Sequence, residues 1–239
     1  MRLSLIIPTL DSHEMVRRQL LYYEREGLPD GVEIILVDDG SRPPLEGSLP
    51  GLTIHRTNDF RPWTQCHAMN AGAVIAKGQF LIQSAIDHIV TPALMEACLA
   101  SRFKFLRFKR EVAVLDEFGR LTQDLISLQA YGWPLSRYPK RGLRLPPHSG
   151  IYFIEKDIYW RIGGTPEDRR TYPQREEATI RRKIDRLVAA GELERYGDED
   201  RPMLYMVPNG RYCGHANYNP FGLFHGLSRH GNELAHVLS

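Results

Sequence analysis

The chain has 239 residues, of which 42% are hydrophobic and 25% are charged, and its formal net charge is +2 at pH 7. This is ordinary globular composition, with ample length for one sizeable core. A charge so near neutral does not call for a nucleic-acid or membrane partner, and no apolar run approaches the roughly 20 residues that a membrane-spanning helix needs.

The cysteines are odd in number, lie far apart and form no CxxC pair. They therefore predict neither a disulfide framework nor a cysteine-based zinc site, and the expected location is the reducing cytoplasm. Basic residues cluster at 102–110, 137–144 and 179–186. Such clusters are usually solvated faces, and an acidic partner is the less favoured alternative.

Strand and helix signals alternate through the first 101 residues. Asp11 has the position of a helix N-cap, with Glu14 three residues on. Short apolar runs rich in branched side chains predict buried strands, and apolar residues at helical spacing predict helices. The predicted strands are 3–7, 32–37, 52–55 and 79–84, and the predicted helices are 12–27, 64–76 and 92–101.

This alternation predicts a mostly parallel α/β sheet covered on both faces, whose ligands bind outside the carboxyl ends of the strands. Polar residues follow three of the predicted strands, at 9–11, at Asp38 and Asp39, and at Asp87 and His88. Acids that end buried strands are costly unless they meet water, a metal or a ligand. The three positions therefore predict a binding site at one sheet edge.

The second half of the chain is less regular. It predicts a half-exposed strand at 103–108, a long loop at 128–148, a strand at 150–154 and a short helix before Gly163 and Gly164. A charged amphipathic helix follows at 176–190. The segment 209–239 is rich in Gly, Asn and His and has little periodicity.

Six stretches in this order resemble the family 2 glycosyltransferases: LSLIIPTLDS at the N-terminus, EIILVDDGS (33–41), AMNAG (68–72), KGQFLIQSAIDHIVTP (77–92), FIEKDIYWRIGGTPE (153–167) and EEATIRRKI (176–184). NDFRPWTQCHAMNAG (58–72) suggests a variant branch whose metal motif reads Asp-x-Asp-His. The resemblance implies a GT-A fold in one domain spanning 1–239. Its parts would be a nucleotide-binding half at 1–101, an acceptor half at 102–208 and a site-closing segment at 209–239.

The resemblance also implies a metal-dependent glycosyltransferase that takes a sugar from a nucleotide diphosphate sugar and inverts the anomeric centre. Asp39 falls where the family has an acid that recognises the base, and a carboxylate that accepts from the pyrimidine N3–H favours UDP. The expected nucleotide-binding residues are Pro8, Thr9, Asp11, Asp38, Asp39, Arg61, Asn70, Gly72, Ala85 and Ile86.

For the metal, the resemblance places Asp87 at the second acid of the motif. His88 and His225 are further candidate ligands, and the imidazoles favour Mn²⁺ over Mg²⁺. The general base would be Glu177, with Glu176 as its neighbour, at the start of the later helix. A helix-start glutamate also has a structural explanation, because it complements the helix dipole.

Ala85 stands where the family has the first acid of the motif, and a methyl group can ligate neither metal nor ribose. Three interpretations follow: an enzyme that works with Asp87 and histidine ligands, a natural form that binds nucleotide without turnover, or an Asp exchanged for Ala by engineering. The third is slightly favoured, because the adjacent Ile-Asp-His is intact.

Two other classes remain as alternatives. A nucleotidyltransferase would show a glycine-rich phosphate loop near the first strand, and PTLDSHE has no glycine. A nucleic-acid-binding module could use the basic stretches with their interleaved aromatic residues, although the near-neutral charge argues against it. The acceptor is open between a saccharide and a modified nucleic acid.

Overall fold

The computed structural model describes residues 1–59, 65–130, 143–145, 148, 150–167 and 175–207. The strands are β1 (Leu3–Thr9), β2 (Val32–Asp38), β3 (Leu52–Arg56), β4 (Phe80–Gln83), β5 (His88–Ile89), β6 (Phe105–Arg107), β7 (Lys109–Val112), β8 (Val114–Leu115), β9 (Leu121–Thr122), β10 (Arg144–Leu145), β11 (Tyr152–Glu155) and β12 (Met203–Met206). The helices are α1 (His13–Glu26), α2 (Gln65–Ile75), α3 (Pro92–Ala100), α4 (Leu125–Ala130), α5 (Lys156–Arg161) and α6 (Arg175–Ala189).

A six-stranded sheet in the order β3-β2-β1-β4-β11-β6 forms the centre of the fold. The first four of these strands are parallel, and β11 runs antiparallel to both β4 and β6. The prediction of a mostly parallel α/β sheet is therefore confirmed. A second sheet, β10-β7-β12-β5, and the hairpin β8-β9 complete the strand pairing of the described residues.

Both faces of the central sheet are covered, which explains why every residue of β1 and β2 is buried. One face packs against α1 and α3 through residues such as Met15 and Leu94. The other face packs against α2, α5 and α6 through small or branched residues such as Ala73 and Ile184. The strand ends are thus the parts of the central strands that remain available to a ligand.

Two sequence predictions need correction. The N-cap of α1 is Ser12 rather than Asp11, since Asp11 adopts a positive φ of 47° and its carboxylate accepts a hydrogen bond from the backbone N–H of Arg42. The stretch 103–108 is not half-exposed, because Phe105 packs on one face of the sheet and Leu106 on the other. Of the basic residues there, Lys104 is exposed and Arg107 is half-buried, so the strand has no continuous solvated face.

Within the described residues, no helix combines the length and the hydropathy that crossing a bilayer would require.

Candidate functional site

The carboxyl ends of β2, β1 and β4 lie side by side at one edge of the central sheet. Thr9 is in register with Asp38, and the N–H of Asp39 donates to the carbonyl of Thr9 at 2.9 Å. The N–H of Ser84, directly after β4, donates to the carbonyl of Ile6 at 2.9 Å. The structure therefore brings together the three strand ends that the sequence analysis singled out.

Asp38 holds the loop that follows β2. Its two carboxylate oxygens accept from the N–H groups of Ser41 and Leu45, each at 2.9 Å. Only 2% of Asp38 is exposed, and Arg56 approaches the same carboxylate at 3.8 Å. A buried carboxylate with two backbone donors organises a turn, so the loop owes its shape to Asp38.

Asp39 lies at the sheet edge beside Thr9. Its Oδ1 accepts from the hydroxyl of Thr57 at 3.1 Å, which fixes the orientation of the carboxylate. The loop after β1 is tied to the same region, because the N–H of Asp11 donates to the Ser41 hydroxyl at 2.9 Å. Pro8 and Thr9 are buried at the end of β1, so they build the floor beneath Asp39.

A tight turn leads from β4 into β5. The N–H of His88 donates to the carbonyl of Ala85 at 3.0 Å, which closes the turn. The side-chain amide of Gln19 in α1 donates to the carbonyl of Ile86 at 2.6 Å and to that of His88 at 3.3 Å. The turn that carries Asp87 is therefore held by the core and not by Ala85, whose side chain packs against the apolar cluster.

Asp87 and His88 form a buried pair with Arg110 of β7. The imidazole Nδ1 lies 2.7 Å from Oδ1 of Asp87, and Nε2 lies 3.1 Å from a terminal nitrogen of Arg110. A guanidinium group only donates, so Nε2 accepts and the imidazole proton is on Nδ1, directed at Asp87. His88 is thus a neutral donor that orients the Asp87 carboxylate.

Both nitrogens of His88 are thus engaged, and one of them faces a cation. Ligation of a metal by His88 stays a prediction. Asp87 supplies an oxygen ligand of the type that Mn²⁺ and Mg²⁺ accept. Among the described residues, however, no group of three or more His, Cys, Asp or Glu side chains is placed to hold a metal ion. Asp87 fits a divalent cation as one ligand of a set that would need other members.

Sequence reasoning missed three residues of this region: Arg110, Gln19 and Ser84. The hydroxyl of Ser84 and Oε1 of Gln19 are buried and lack a hydrogen-bond partner among the described residues. Buried polar atoms are normally satisfied, so such atoms point to a ligand or a water. Of these three residues, only Ser84 has a position from which the sequence could have predicted a role, because it ends a predicted strand.

Asn70 and Gly72 have packing roles in the structure. The Asn70 side chain accepts from the N–H of Thr165 at 2.9 Å and donates to the carbonyl of that residue at 2.8 Å, which ties α2 to the Gly163-Gly164 turn. A Cβ on Gly72 would lie 2.5 Å from Cγ2 of Ile6. The contact of Asn70 and Gly72 with a ribose or a diphosphate stays a prediction.

The remaining predicted site residues are not described. Arg61 and His225 lie outside the described residues. Glu176 and Glu177 belong to the first turn of α6, but their side chains are outside the described part of the chain.

The sequence matches no protein-family model and no curated protein. Similarity to solved structures is clear: S. aureus TarS (residues 1–349) is 14% identical with a TM-score of 0.53, over 88% of this chain and 61% of that one. A mannosyltransferase from Pyrobaculum calidifontis, solved with GDP-Man and Mn²⁺, is 16% identical with a TM-score of 0.46, over 76% of this chain and 51% of that one.

Glucosyl-3-phosphoglycerate synthase from Mycobacterium tuberculosis, solved with phosphoglyceric acid, is 14% identical with a TM-score of 0.46, over 86% of this chain and 70% of that one. At 14% identity, the likeness to TarS defines the fold and not the reaction. The chain has the fold of the GT-A glycosyltransferases. It spans about three fifths of the TarS fragment that it matches.

Proposed function

We propose that the protein transfers a sugar from a nucleotide diphosphate sugar, with UDP as the favoured nucleotide, to an acceptor hydroxyl. The observation that carries the proposal is the meeting of Asp39, Thr9 and the Ser84–Asp87 turn at the carboxyl edge of a GT-A sheet. That edge is where ligands bind in open α/β sheets. Asp39, held by Thr57, would accept from N3–H of uracil.

Asp87 is the proposed protein ligand of a divalent cation, Mn²⁺ in preference to Mg²⁺, with His225 as a second proposed ligand. When bound, such a cation neutralises the charge that develops on the departing diphosphate. His88 would hold the Asp87 carboxylate in position, as partners of metal-ligating carboxylates do. Arg110 would in turn keep the imidazole in the tautomer that donates to Asp87.

Glu177 is the proposed general base, with Glu176 beside it, and an in-line attack would invert the anomeric centre. The proposed organisation is one domain, with the segment 209–239 closing over the donor and 102–208 contacting the acceptor. Residues 1–101 would hold the nucleotide. Two classes of acceptor remain as alternatives, a saccharide and a modified nucleic acid. Location in the cytoplasm stays a prediction.

The test is a thermal-shift titration with UDP, GDP and CDP sugars, with and without Mn²⁺, on the chain and on Asp39→Asn. A ligand that binds only the folded state raises its stability as occupancy rises. We expect UDP sugars to raise the melting temperature and Asp39→Asn to abolish the preference for UDP. Asp30→Asn is the matched control, since Asp30 is an exposed acid before β2, at the end opposite Asp39. A flat response to all donors would reject the proposal.

A further inference from the structure

A cavity lies at β6, two strands from β4 in the central sheet. Its volume is about 260 Å³, and its walls come from β6, α6 and the segment 193–201. Four arginines line it: Arg107, Arg181, Arg195 and Arg201. Among the described residues of the lining, the carboxylates are Asp185 and Glu194, so these residues carry a formal charge of +2.

The guanidinium group of Arg201 is held in place at this cavity. It pairs with Asp198 at 3.1 Å, and its central carbon lies 5.3 Å from the ring centroid of Tyr196. Its Nε is buried and has no hydrogen-bond partner among the described residues. A buried donor without an acceptor is costly, and a bound oxyanion would supply the acceptor.

The mouth of the cavity carries two exposed cations, Arg181 and Arg195. Glu194, the acid next to Arg195 in the chain, pairs with Arg102 at 3.0 Å and so is already neutralised. Arg201 is likewise paired, with Asp198. Arg181 and Arg195 are therefore the exposed cations of the lining that a ligand can reach.

The apolar part of the wall is formed by the Tyr196 ring with aliphatic side chains of α6. Burial raises the pKa of Tyr196, and the guanidinium groups of Arg107 and Arg201 oppose that shift. The phenol thus stays neutral at physiological pH, with its hydroxyl bonded to the backbone of Arg107, and its ring adds apolar surface to the wall. A ligand with an organic group beside its anion would find contacts for both.

The register of the sheet fixes where this cavity lies. Tyr152 of β11 is paired with Gln83 of β4 on one side and with Arg107 of β6 on the other. Arg107 is therefore level with the carboxyl end of β4 and two strands away, or about 10 Å at the usual strand spacing. The cavity is beside the candidate nucleotide site and does not include its residues.

We propose that this cavity binds a phosphate monoester, with the phosphate against the guanidinium groups and the organic group against Tyr196. A phosphate monoester carries roughly −1.5 to −2 charges at pH 7, which the two exposed guanidinium groups of Arg181 and Arg195 can offset, and its oxygens pair bidentately with arginine. A single carboxylate would leave about one positive charge unmatched. The proposal does not depend on which sugar donor the protein uses.

The test is calorimetric titration of the full chain with phenyl phosphate at low ionic strength, with benzoate as the carboxylate probe. We expect phenyl phosphate to bind at least about tenfold more tightly than benzoate. The double variant Arg181→Gln/Arg195→Gln should weaken phenyl phosphate binding by about tenfold or more. Both side chains are exposed, so the fold should be retained, and an unchanged unfolding midpoint checks this.

Arg186→Gln is the matched control, since Arg186 is an exposed arginine of α6 outside the cavity. Binding should be unchanged in that variant and in the presence of excess UDP. An equal loss of affinity in Arg186→Gln would mean that phenyl phosphate is attracted by surface positive charge in general. Displacement of phenyl phosphate by UDP would mean that it binds at the nucleotide site. Either result, or no binding of phenyl phosphate at millimolar concentration, overturns the proposal.

Discussion

Arg110 donates to Nε2 of His88 at 3.1 Å, and this contact decides which nitrogen of the imidazole carries the proton. The proton is left on Nδ1, 2.7 Å from the Asp87 carboxylate. All three side chains are buried, with at most 8% of each residue exposed. Arg110, on β7 of the second sheet, thus orients the Asp87 carboxylate at the edge of the central sheet.

Replacing Arg110 by methionine tests this arrangement. Arg110→Met leaves the buried Nε2 of His88 without its donor, so we expect the free energy of unfolding to fall by about 1–3 kcal/mol. Loss of a partner that orients a ligand should also weaken Mn²⁺-dependent binding of UDP sugar by roughly 10–100-fold. Urea denaturation and thermal-shift titration measure the two effects.

The control for that experiment is Arg144→Met. Arg144 lies on β10, the strand paired with β7, but its side chain is 84% exposed, and its carboxylate partner Glu111 is 3.8 Å away. Its removal should change the free energy of unfolding by less than about 0.5 kcal/mol. If Arg110→Met behaves like Arg144→Met in both assays, the orienting role is rejected.

The substitution Ala85→Asp tests whether the turn between β4 and β5 lacks a metal-ligating carboxylate. Position 85 is two residues from Asp87, in a turn held by its backbone hydrogen bonds and by the side-chain amide of Gln19. Ala85 packs against the apolar cluster but is only partly buried. We therefore expect a carboxylate there to be accommodated and to raise Mn²⁺-dependent nucleotide-sugar binding by about tenfold or more, because it adds a charged oxygen ligand. Sugar transfer to an acceptor should rise with it.

Ala85→Asn separates charge from size, since the amide has nearly the same volume and no charge. It should reproduce little of the gain in Mn²⁺-dependent binding. If Ala85→Asp raises neither metal affinity nor transfer, then the idea that an acid has been lost at this position is wrong.

The sequence sufficed to predict the central sheet and the edge at which polar residues collect. Strands such as β1 and β2 are runs of branched apolar residues, and the acids that follow them are adjacent in the chain. The local sequence pattern is enough to predict such features. The fold class and the meeting of Thr9, Asp39 and the Asp87 turn were therefore accessible before any coordinates.

Contacts between residues from distant segments of the chain could not be predicted from the sequence. Arg110 is 22 residues from His88 and lies on a different strand of the second sheet, with β12 between the two strands. Its neighbours in the chain mark it only as one of a basic cluster. The packing contacts of Asn70 and Gly72 could not be predicted for a related reason. A motif gives the position of a residue along the chain, whereas the direction of its side chain depends on how α2 packs against the sheet.

Glu14 gives a prediction about pH. Arg17 and Arg18 hold the pKa of its carboxyl at about 2, below the usual 4.5. Since the pKa is lowered in the folded state, the stabilisation is complete above pH 4.5 and is lost as the pH falls toward 2. After allowance for solvent screening of a partly exposed pair, its size should be about 1–2 kcal/mol.

Urea denaturation of the chain and of Glu14→Gln at pH 6 and pH 3 measures that contribution. The difference between the two proteins should be largest at pH 6 and shrink at pH 3. Glu26→Gln is the control, because Glu26 and its partner Arg25 are both 41% exposed, and it should have almost no effect at either pH. A Glu14→Gln effect that is the same at both values would contradict the assignment.

The substitution Gly72→Ala has two opposite effects on the free energy of unfolding, and their balance can be measured. Alanine favours a helix over glycine by about 1 kcal/mol. The added Cβ would lie 2.5 Å from Cγ2 of Ile6 and 2.9 Å from Cγ2 of Val37, both in buried strands. Overpacking a close-packed core costs about 1–3 kcal/mol, so we expect Gly72→Ala to lower the free energy of unfolding.

A double-mutant cycle with Ile6→Ala identifies the cause of that loss. Removing the Ile6 side chain makes room for the new Cβ, so the double variant should be more stable than the sum of the two single effects by about 0.5–3 kcal/mol. Urea denaturation of the four proteins gives this coupling. If Gly72→Ala instead raises the stability by the full helix-propensity gain, α2 does not approach β1 and β2 as closely as the structure has it.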